Sequence, residues 1–277
     1  MTQTHQWHSL LPLPIGSHAD HQAHLSLHLS GDHGRGELEH FIHERFACVH
    51  QADVQHYLPE LLALQGSHGR LIAAAGMRPA SEGPLFLERY LDEPLESAVS
   101  RVTGASPDRN CMVEVGNLAS LSAGSARIMI IAVTWLLAMR GLEWVAFTGA
   151  ATLFNSFQRL GLVPTVLASA DPARLEGQVD QWGTYYDQRP QVFAGNIGFG
   201  FDALKQAGMQ RLVIAGGVVN GVQVDDLQLG GVVAMESFDN AGRAIRDMVP
   251  HMLQRAPDLE GRPQGVGDGV ARARSLD

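Results

Sequence analysis

The sequence predicts an α/β domain with helices packed on a sheet, preceded by a loose, histidine-rich N-terminal arm. Three observations carry this expectation. Between Cys111 and Gly161 the chain runs strand, small-residue loop, apolar helix, strand, helix, a βαβα order that implies a parallel pair with a right-handed crossover. Over 277 residues, 45% are hydrophobic and 18% charged, a globular balance able to bury a core without staples. The first forty residues hold no sustained period and are broken by Pro12, Pro14, Gly16, Gly31, Gly34 and Gly36. The expected organisation is therefore an arm over 1–40, a domain over 41–255 and a loose tail over 256–277.

Phe41 through Leu64 reads as one helix, with Phe46, Val49, Val54, Leu58, Leu61 and Leu62 at helix-like steps. Leu71–Gly76 suits a buried strand, and Leu85–Tyr90 (LFLERY) reads as another. Asp92, Glu93 and Pro94 open a helix from Leu95 to about Val102, which stops at Gly104. Met112–Leu118 (MVEVGNL) alternates as a strand, and its glycine marks a bulge or a close backbone approach. After the loop Ser120–Ser125, the helix Ala126–Arg140 is apolar nearly all round, the mark of burial. Leu142–Thr148 is the next strand and Thr152–Leu160 the next helix. Loops follow, then a strand at Gln191–Ala194 and a short helix at Phe201–Ala207. Arg211–Val219 and Val232–Met235 read as strands, and Ala241–Leu253 as an amphipathic helix.

Composition excludes several functions. A net charge of −9 removes the basic footprint of general nucleic-acid binding. Of 20 basic residues only Lys205 is a lysine, which argues against a Walker-type phosphate site. Two cysteines, Cys48 and Cys111, build neither a disulfide framework nor a four-sulfur zinc site. Ile128–Met139 is the longest apolar stretch and is too short for a membrane span. With no basic n-region and apolar run at the start, a cytoplasmic location is expected. His18, His21, His24 and His28 would align on one helix face, but no carboxylate or cysteine stands at ligand spacing, so no metal is assigned.

The strand–loop–helix unit from Asn117 to Arg127 is the sharpest chemical feature. Its small residues let backbone N–H groups at a helix N-terminus approach an anion, and the dipole there favours phosphate. Leu118, Ala119, Gly124, Ser125, Ala126 and Arg127 are the donor-binding candidates, Arg127 adding a charge-assisted contact. A tight turn packed with small residues fits the same spacing. Glu114, central in the bulged strand, is the general-base candidate; a carboxylate paired with an arginine for structure fits the same position. Glu88 and Arg89 are second candidates, for acceptor recognition; an ordinary exposed strand end fits them as well. Trp182, Tyr185 and Tyr186 cluster three aromatics within five residues; they suit a substrate pocket with a tyrosine as acid, or core packing.

Several motifs together resemble the thermostable hemolysin family: RFA at 45–47, LFLERYLDEPLE, VEVGNLAS, GSAR, WVAFTGAATLFNSFQRLGL and WGTYYDQRP, in order over roughly Phe41 to Ala194. That family in turn resembles the GCN5-related N-acetyltransferase superfamily, with its acyl-homoserine lactone synthases and N-acyl amino acid synthases. The resemblance implies an acetyltransferase-like mixed sheet and an acyltransferase that takes its acyl group from a coenzyme A or acyl-carrier-protein thioester. The acceptor would be an amine of a small molecule, with no tightly bound cofactor; a homo-oligomer stays open. In that superfamily's Gln/Arg-x-x-Gly-x-Gly/Ala loop, Gly124 and Ala126 match while Leu121 departs. Phe157 stands where the superfamily often has a proton-donating tyrosine. The alternatives are a membrane-damaging protein, as the family's name suggests, and a carrier-binding domain without catalysis.

Overall fold

A computed structural model describes residues 7–15 and 23–208. Eight strands form one sheet in the order β1-β2-β3-β4-β5-β6-β8-β7. They are β1 (Leu13–Ile15), β2 (Ala23–His28), β3 (Glu60–Gln65), β4 (Leu71–Pro79), β5 (Met112–Ser120), β6 (Trp144–Gly149), β7 (Thr165–Ser169) and β8 (Gln191–Asn196). Among these pairs β5 and β6 alone are parallel, joined by α3 (Ala123–Met139). The sheet is therefore mixed, with antiparallel pairing everywhere else.

Two layers of helix cover the sheet. On one face lies α3, which buries Met129, Ile130, Ile131, Val133, Trp135, Leu136 and Leu137 in a core shared with the sheet, with α4 (Ala151–Arg159) and α5 (Ile197–Gln206) packed against it. Each such side chain contributes about 1.5–3 kcal/mol by leaving water, which is why the helix needs no polar stripe. On the other face α1 (Arg35–His50) sets Leu38 and Ile42 against Leu61, Ala63, Ala74 and Ala119. Beside it, a 3₁₀ turn at Phe86–Tyr90 and α2 (Leu95–Thr103) cover Met112, Trp144, Ala146 and Val192.

Several expectations are corrected. Of the expected loose arm, residues 13–15 and 23–40 belong to the fold as β1, β2 and the start of α1. Trp7 is buried, its ring 4.2 Å beneath the Arg140 guanidinium, which itself pairs bidentately with Glu60. In β2, Ala23 and Leu25 face the core while His24 is exposed, an alternation the flanking histidines hide. His24 and His28 thus stand on a strand, and among the described residues no His, Cys, Asp or Glu group has the makings of a metal site.

The single helix expected over Phe41–Leu64 is instead α1, a loop and β3. Gln51 adopts φ 56 and ends α1 with its N–H on the Ala47 carbonyl. The run Leu61–Leu64 is buried on both faces of the sheet, a burial that periodicity alone does not separate from helix. LFLERY is a 3₁₀ turn and not a strand, because side-chain carboxylates, as shown below, take the amides a sheet would have used. The edge strand β7 was not anticipated; it follows Pro164 and carries a bulge. The strands and helix expected beyond Gly208 lie outside the described residues.

Candidate functional site

β5 pairs with β6 only from Met112/Trp144 to Val115/Phe147. Beyond that point β5 continues to Ser120 beside β4, and β6 to Gly149 beside β8. The two parallel strands part at their carboxyl ends, and the inner edge of β5 has no ladder partner there. A bulge drives the parting: Ala74 faces Ala119 while Gly76 faces Gly116, so β5 carries one extra residue. Asn117, at φ 50, absorbs it. Its side chain locks the bulge to the loop after α1, accepting from the Leu58 N–H at 2.9 Å and donating to the His56 carbonyl at 3.1 Å. Gly76 makes room, since a Cβ there would lie 2.8 Å from Asn117 Oδ1.

A cavity of about 1150 Å³ passes through this gap and is lined from both faces of the sheet. On the α3 face its walls are apolar, with Met129, Val133, Phe147 and Phe157 among them. Phe157 stacks on Phe147 at 4.7 Å, so this expected departure is a wall of the cavity. On the other face the lining turns polar and aromatic: His50, Arg78, Phe86, Glu114, Trp182 and Tyr185.

Glu114 is the buried centre of that half. Its two oxygens accept from the Phe86 N–H at 2.8 Å and the Leu87 N–H at 3.0 Å. Burial pushes its carboxyl up to about 7, although both amides and the Arg78 charge pull the other way. A carboxylate poised there exchanges a proton readily at neutral pH. The same two bonds fold LFLERY into its turn.

Glu88 is committed elsewhere. It does not line the cavity; it binds Arg109 through both oxygens at 2.6 and 3.0 Å and also accepts from the Leu85 and Leu95 amides. Burial would raise its carboxyl, but these partners outweigh burial and hold it down to about 2. Because the folded-state value is depressed, the stability this group contributes is complete above pH 4.5 and is lost as pH falls toward 2. Glu88→Gln should therefore destabilise the protein at pH 6 and far less near pH 2.5. Denaturant midpoints at both values check this, and an equal gap at both would contradict it.

The aromatic wall joins Phe46, Phe86, Trp182 and Tyr185 edge to face or tilted, with centroids 5.5–6.5 Å apart. Burial raises Tyr185 well above the usual phenol range, so its hydroxyl stays protonated. Tyr186 does not line the cavity; its hydroxyl shares a 2.5 Å hydrogen bond with that of Tyr90, which does. Arg89 lines the cavity over the Phe86 ring at 5.0 Å and donates to Gln178. His50, on the wall against Tyr185, is pushed down by burial and stays neutral.

Gly183 ties this wall to α1. Thr184 donates its N–H to the His50 carbonyl at 2.7 Å, and a Cβ on Gly183, at φ 50, would lie 2.2 Å from that same oxygen. Gly183→Ala should cost about 2–4 kcal/mol, from positive-φ strain plus a backbone clash. A urea midpoint shift of that size at unchanged slope is the expected result; a loss under about 0.5 kcal/mol would show that the loop simply moves aside.

At the other end, Ser122 caps α3 by accepting from the Ser125 N–H at 3.1 Å, and Ser125 returns the contact to the Ser122 N–H. Ser125 is thus a buried cap and not a free ligand. Among the described residues the amides of Ala123 and Gly124 meet no acceptor. Gly124 is exposed and lies off the cavity lining, beside its rim, while Leu118, Ala123 and Ala126 line the cavity. Ala119 turns to the core beneath α1, and Arg127 lies off the lining with its Nε buried and unpartnered. Arg78, Asn117, His50 and Tyr90 were not singled out from sequence; the Gly116-Asn117 pair was the one available signal of a kink.

A family model described as thermostable hemolysin matches residues 28–201. The chain belongs to the thermostable hemolysin family. Among curated proteins none matches it in sequence. Its structure is similar to that of the AHL synthase LasI, at 12% identity and a TM-score of 0.46, covering 74% of this chain and 99% of LasI. It is similar to the CoA-dependent acyl-homoserine lactone synthase BjaI, solved with SAM and isopentyl-CoA, at 14% identity and a TM-score of 0.47, over 80% of this chain and 99% of BjaI. A third likeness is to FeeM, an N-acyl amino acid synthase from uncultured soil microbes, at 11% identity and a TM-score of 0.43, over 65% of this chain and 93% of FeeM.

Proposed function

We propose that this member of the thermostable hemolysin family is an acyltransferase, moving an acyl group from a coenzyme A or acyl-carrier-protein thioester to an amine of a small acceptor. One observation carries the reading: a cavity crosses the sheet where β5 and β6 part, with a proton-accepting carboxylate on one side and, at its other end, the N-terminus of α3 with the free amide of Ala123 on the lining and that of Gly124 beside it. The unpaired inner edge of β5 suits the amide-bearing arm of a phosphopantetheine thioester, as an added strand would use it. The amides of Ala123 and Gly124, with the α3 dipole, suit its phosphate. The apolar walls along α3 suit the acyl chain.

With both substrates held, proximity supplies most of the rate. The amine nitrogen attacks the thioester carbonyl carbon, whose oxygen draws on a backbone N–H near Leu118 or Ala119. Glu114 takes the amine proton directly or through water. The C–N bond forms, the C–S bond breaks, and the thiolate leaves with a proton from Tyr185 or from the Tyr90–Tyr186 pair, both held protonated. Glu88, in this account, organises the turn that carries the Glu114 contacts and does not touch the acceptor.

Mass spectrometry of small molecules carried by the purified protein tests the reading; an acyl thioester or an N-acylated amine is the expected passenger. The family's name points to membrane damage instead. Among the described residues no helix is long and apolar enough to cross a membrane. Dye leakage from liposomes at low protein concentration, with no thioester present, would favour that second reading and overturn the first.

A further inference from the structure

The chain from Glu176 to Arg189 is built unlike the rest of the domain. None of its residues is wholly buried, whereas Leu175 and Pro190 at its two ends are. Its boundaries are left-handed: Glu176 at φ 38 with Gly177 at φ 80, and Arg189 at φ 48. A glutamate or an arginine rarely stays in that region unless the surrounding structure imposes it. Beyond these points the chain is anchored. The Ala170 N–H donates to the Pro190 carbonyl at 3.0 Å, which ties the base together, and Arg174 donates to the Leu91 carbonyl at 3.1 Å. A segment with fixed ends, two strained joints and no wholly buried residue is where local opening costs least.

This segment lies across the polar half of the cavity, where Gln178, Trp182, Tyr185 and Gln188 line it. On one side it meets α1 and the loop after it. The Gln181 carbonyl accepts from the Asp53 N–H at 2.7 Å, and Thr184 donates its N–H and its hydroxyl to the His50 carbonyl at 2.7 and 3.0 Å. On the other side it meets the LFLERY turn. There Arg89 donates to the Gln178 side chain at 2.8 Å in an exposed contact, and the Tyr90 and Tyr186 hydroxyls share their hydrogen bond. Val179, Trp182 and Tyr186 rest on the buried cluster that contains Leu85 and Tyr90.

We propose that residues 176–189 are a strap that swings as one unit on Glu176-Gly177 and Arg189, and that the polar half of the cavity exchanges its occupant with solvent only while the strap is open. Closed, the strap completes the aromatic wall by setting Trp182 and Tyr185 against Phe46 and Phe86. Arg89, stacked on Phe86 and reaching over to Gln178, is the latch. Access is controlled in this way whatever the cavity turns over.

Amide hydrogen exchange of the full chain, in water and at rising sub-denaturing urea, reads the motion. The Thr184 and Asp53 amides, one on the strap and one holding it, should share an opening constant that barely depends on urea, since local opening exposes little surface. Amides of the β5–β6 ladder should show the full slope of global unfolding. Arg89→Ala should speed exchange of both reporter amides about 10-fold, the loss of one charge-assisted hydrogen bond, with the urea slope still flat. Access is read separately with methyl methanethiosulfonate on a thiol placed in the covered cluster by Leu85→Cys, in a Cys48→Ser, Cys111→Ser background shown to be folded by its melting curve. That thiol should react far more slowly than glutathione, by the same opening constant, and should speed up by the same factor in Arg89→Ala. Exchange of Thr184 and Asp53 through global unfolding alone would overturn the strap, and this needs no variant. A thiol at position 85 that reacts as fast as glutathione, or at a rate indifferent to Arg89→Ala, would overturn its control of access. No acyl donor enters either measurement, so the transferase reading stands or falls apart from them.

Discussion

Glu114→Gln is expected to lower acyl transfer by roughly 10²–10⁴-fold, the range for loss of a general base, while donor affinity stays nearly unchanged. The residue is buried, lies in the cavity lining and sits in the strand segment just before β5 leaves β6. Glutamine keeps the shape and one acceptor oxygen for the turn at Phe86, so the scaffold is largely retained. It cannot take a proton. The pH profile gives an independent check. Only the ionised carboxylate works as a base, and burial pushes Glu114 up to about 7. The kcat/KM of the unaltered protein should therefore fall tenfold per pH unit below about 7. In Glu114→Gln that acid limb should vanish along with the rate. Released thiol, followed with each candidate amine across pH 5 to about 9, reads both effects. Unaltered turnover, or the same acid limb in the variant, would return Glu114 to a purely structural role as the clamp of the LFLERY turn.

Gly124→Glu should weaken donor binding by roughly 100-fold or more, the cost of a like-charge contact in a partly desolvated site. The position makes the test clean. Gly124 is exposed, and a Cβ there would touch just Ser122 Oγ, at 3.6 Å, an ordinary contact. A side chain therefore fits without displacing the protein, and a carboxylate in the first turn of α3 even favours the helix dipole. Stability should change by less than about 1 kcal/mol while affinity for the phosphate-bearing donor collapses. Titration of acyl-CoA into the variant, beside a melting curve, separates the two quantities. A folded variant that binds the thioester with undiminished affinity would remove the phosphate from the α3 N-terminus and leave the cavity without a donor end.

The parts of this molecule that were legible in sequence are those fixed by local pattern. The helix α3 announces burial by being apolar all round, and Gly104, Gly141 and Gly161 mark where helices stop, each at positive φ. Glu114 stood out because it lies centrally in the bulged strand, where the resemblance places a catalytic carboxylate. What escaped depends on partners far away in the chain. LFLERY alternates like a strand, and the carboxylate of Glu114, 27 and 28 residues on, together with that of Glu88 on the Leu85 amide, turns it into a 3₁₀ turn. Glu88 looked free until Arg109, 21 residues later, closed on it. Arg78 has no local signature at all; its relation to Glu114 exists only in the β4–β5 register, which the bulge at Asn117 shifts. The strand β2 was obscured because histidine hides an alternation of small apolar residues.

The claim that matters most is that one cavity holds a thioester and an amine together. The most direct measurement follows free thiol and acylated amine in the same reaction, with the purified full chain, a series of acyl-CoA and acyl-carrier-protein donors, and a mixture of small amines. The account predicts one amide formed for every thiol released, with both products slowed together in Glu114→Gln. Thiol released without amide would mean that water, not an amine, occupies the site. No product from any donor, from protein that nevertheless permeabilises liposomes, would contradict the account outright.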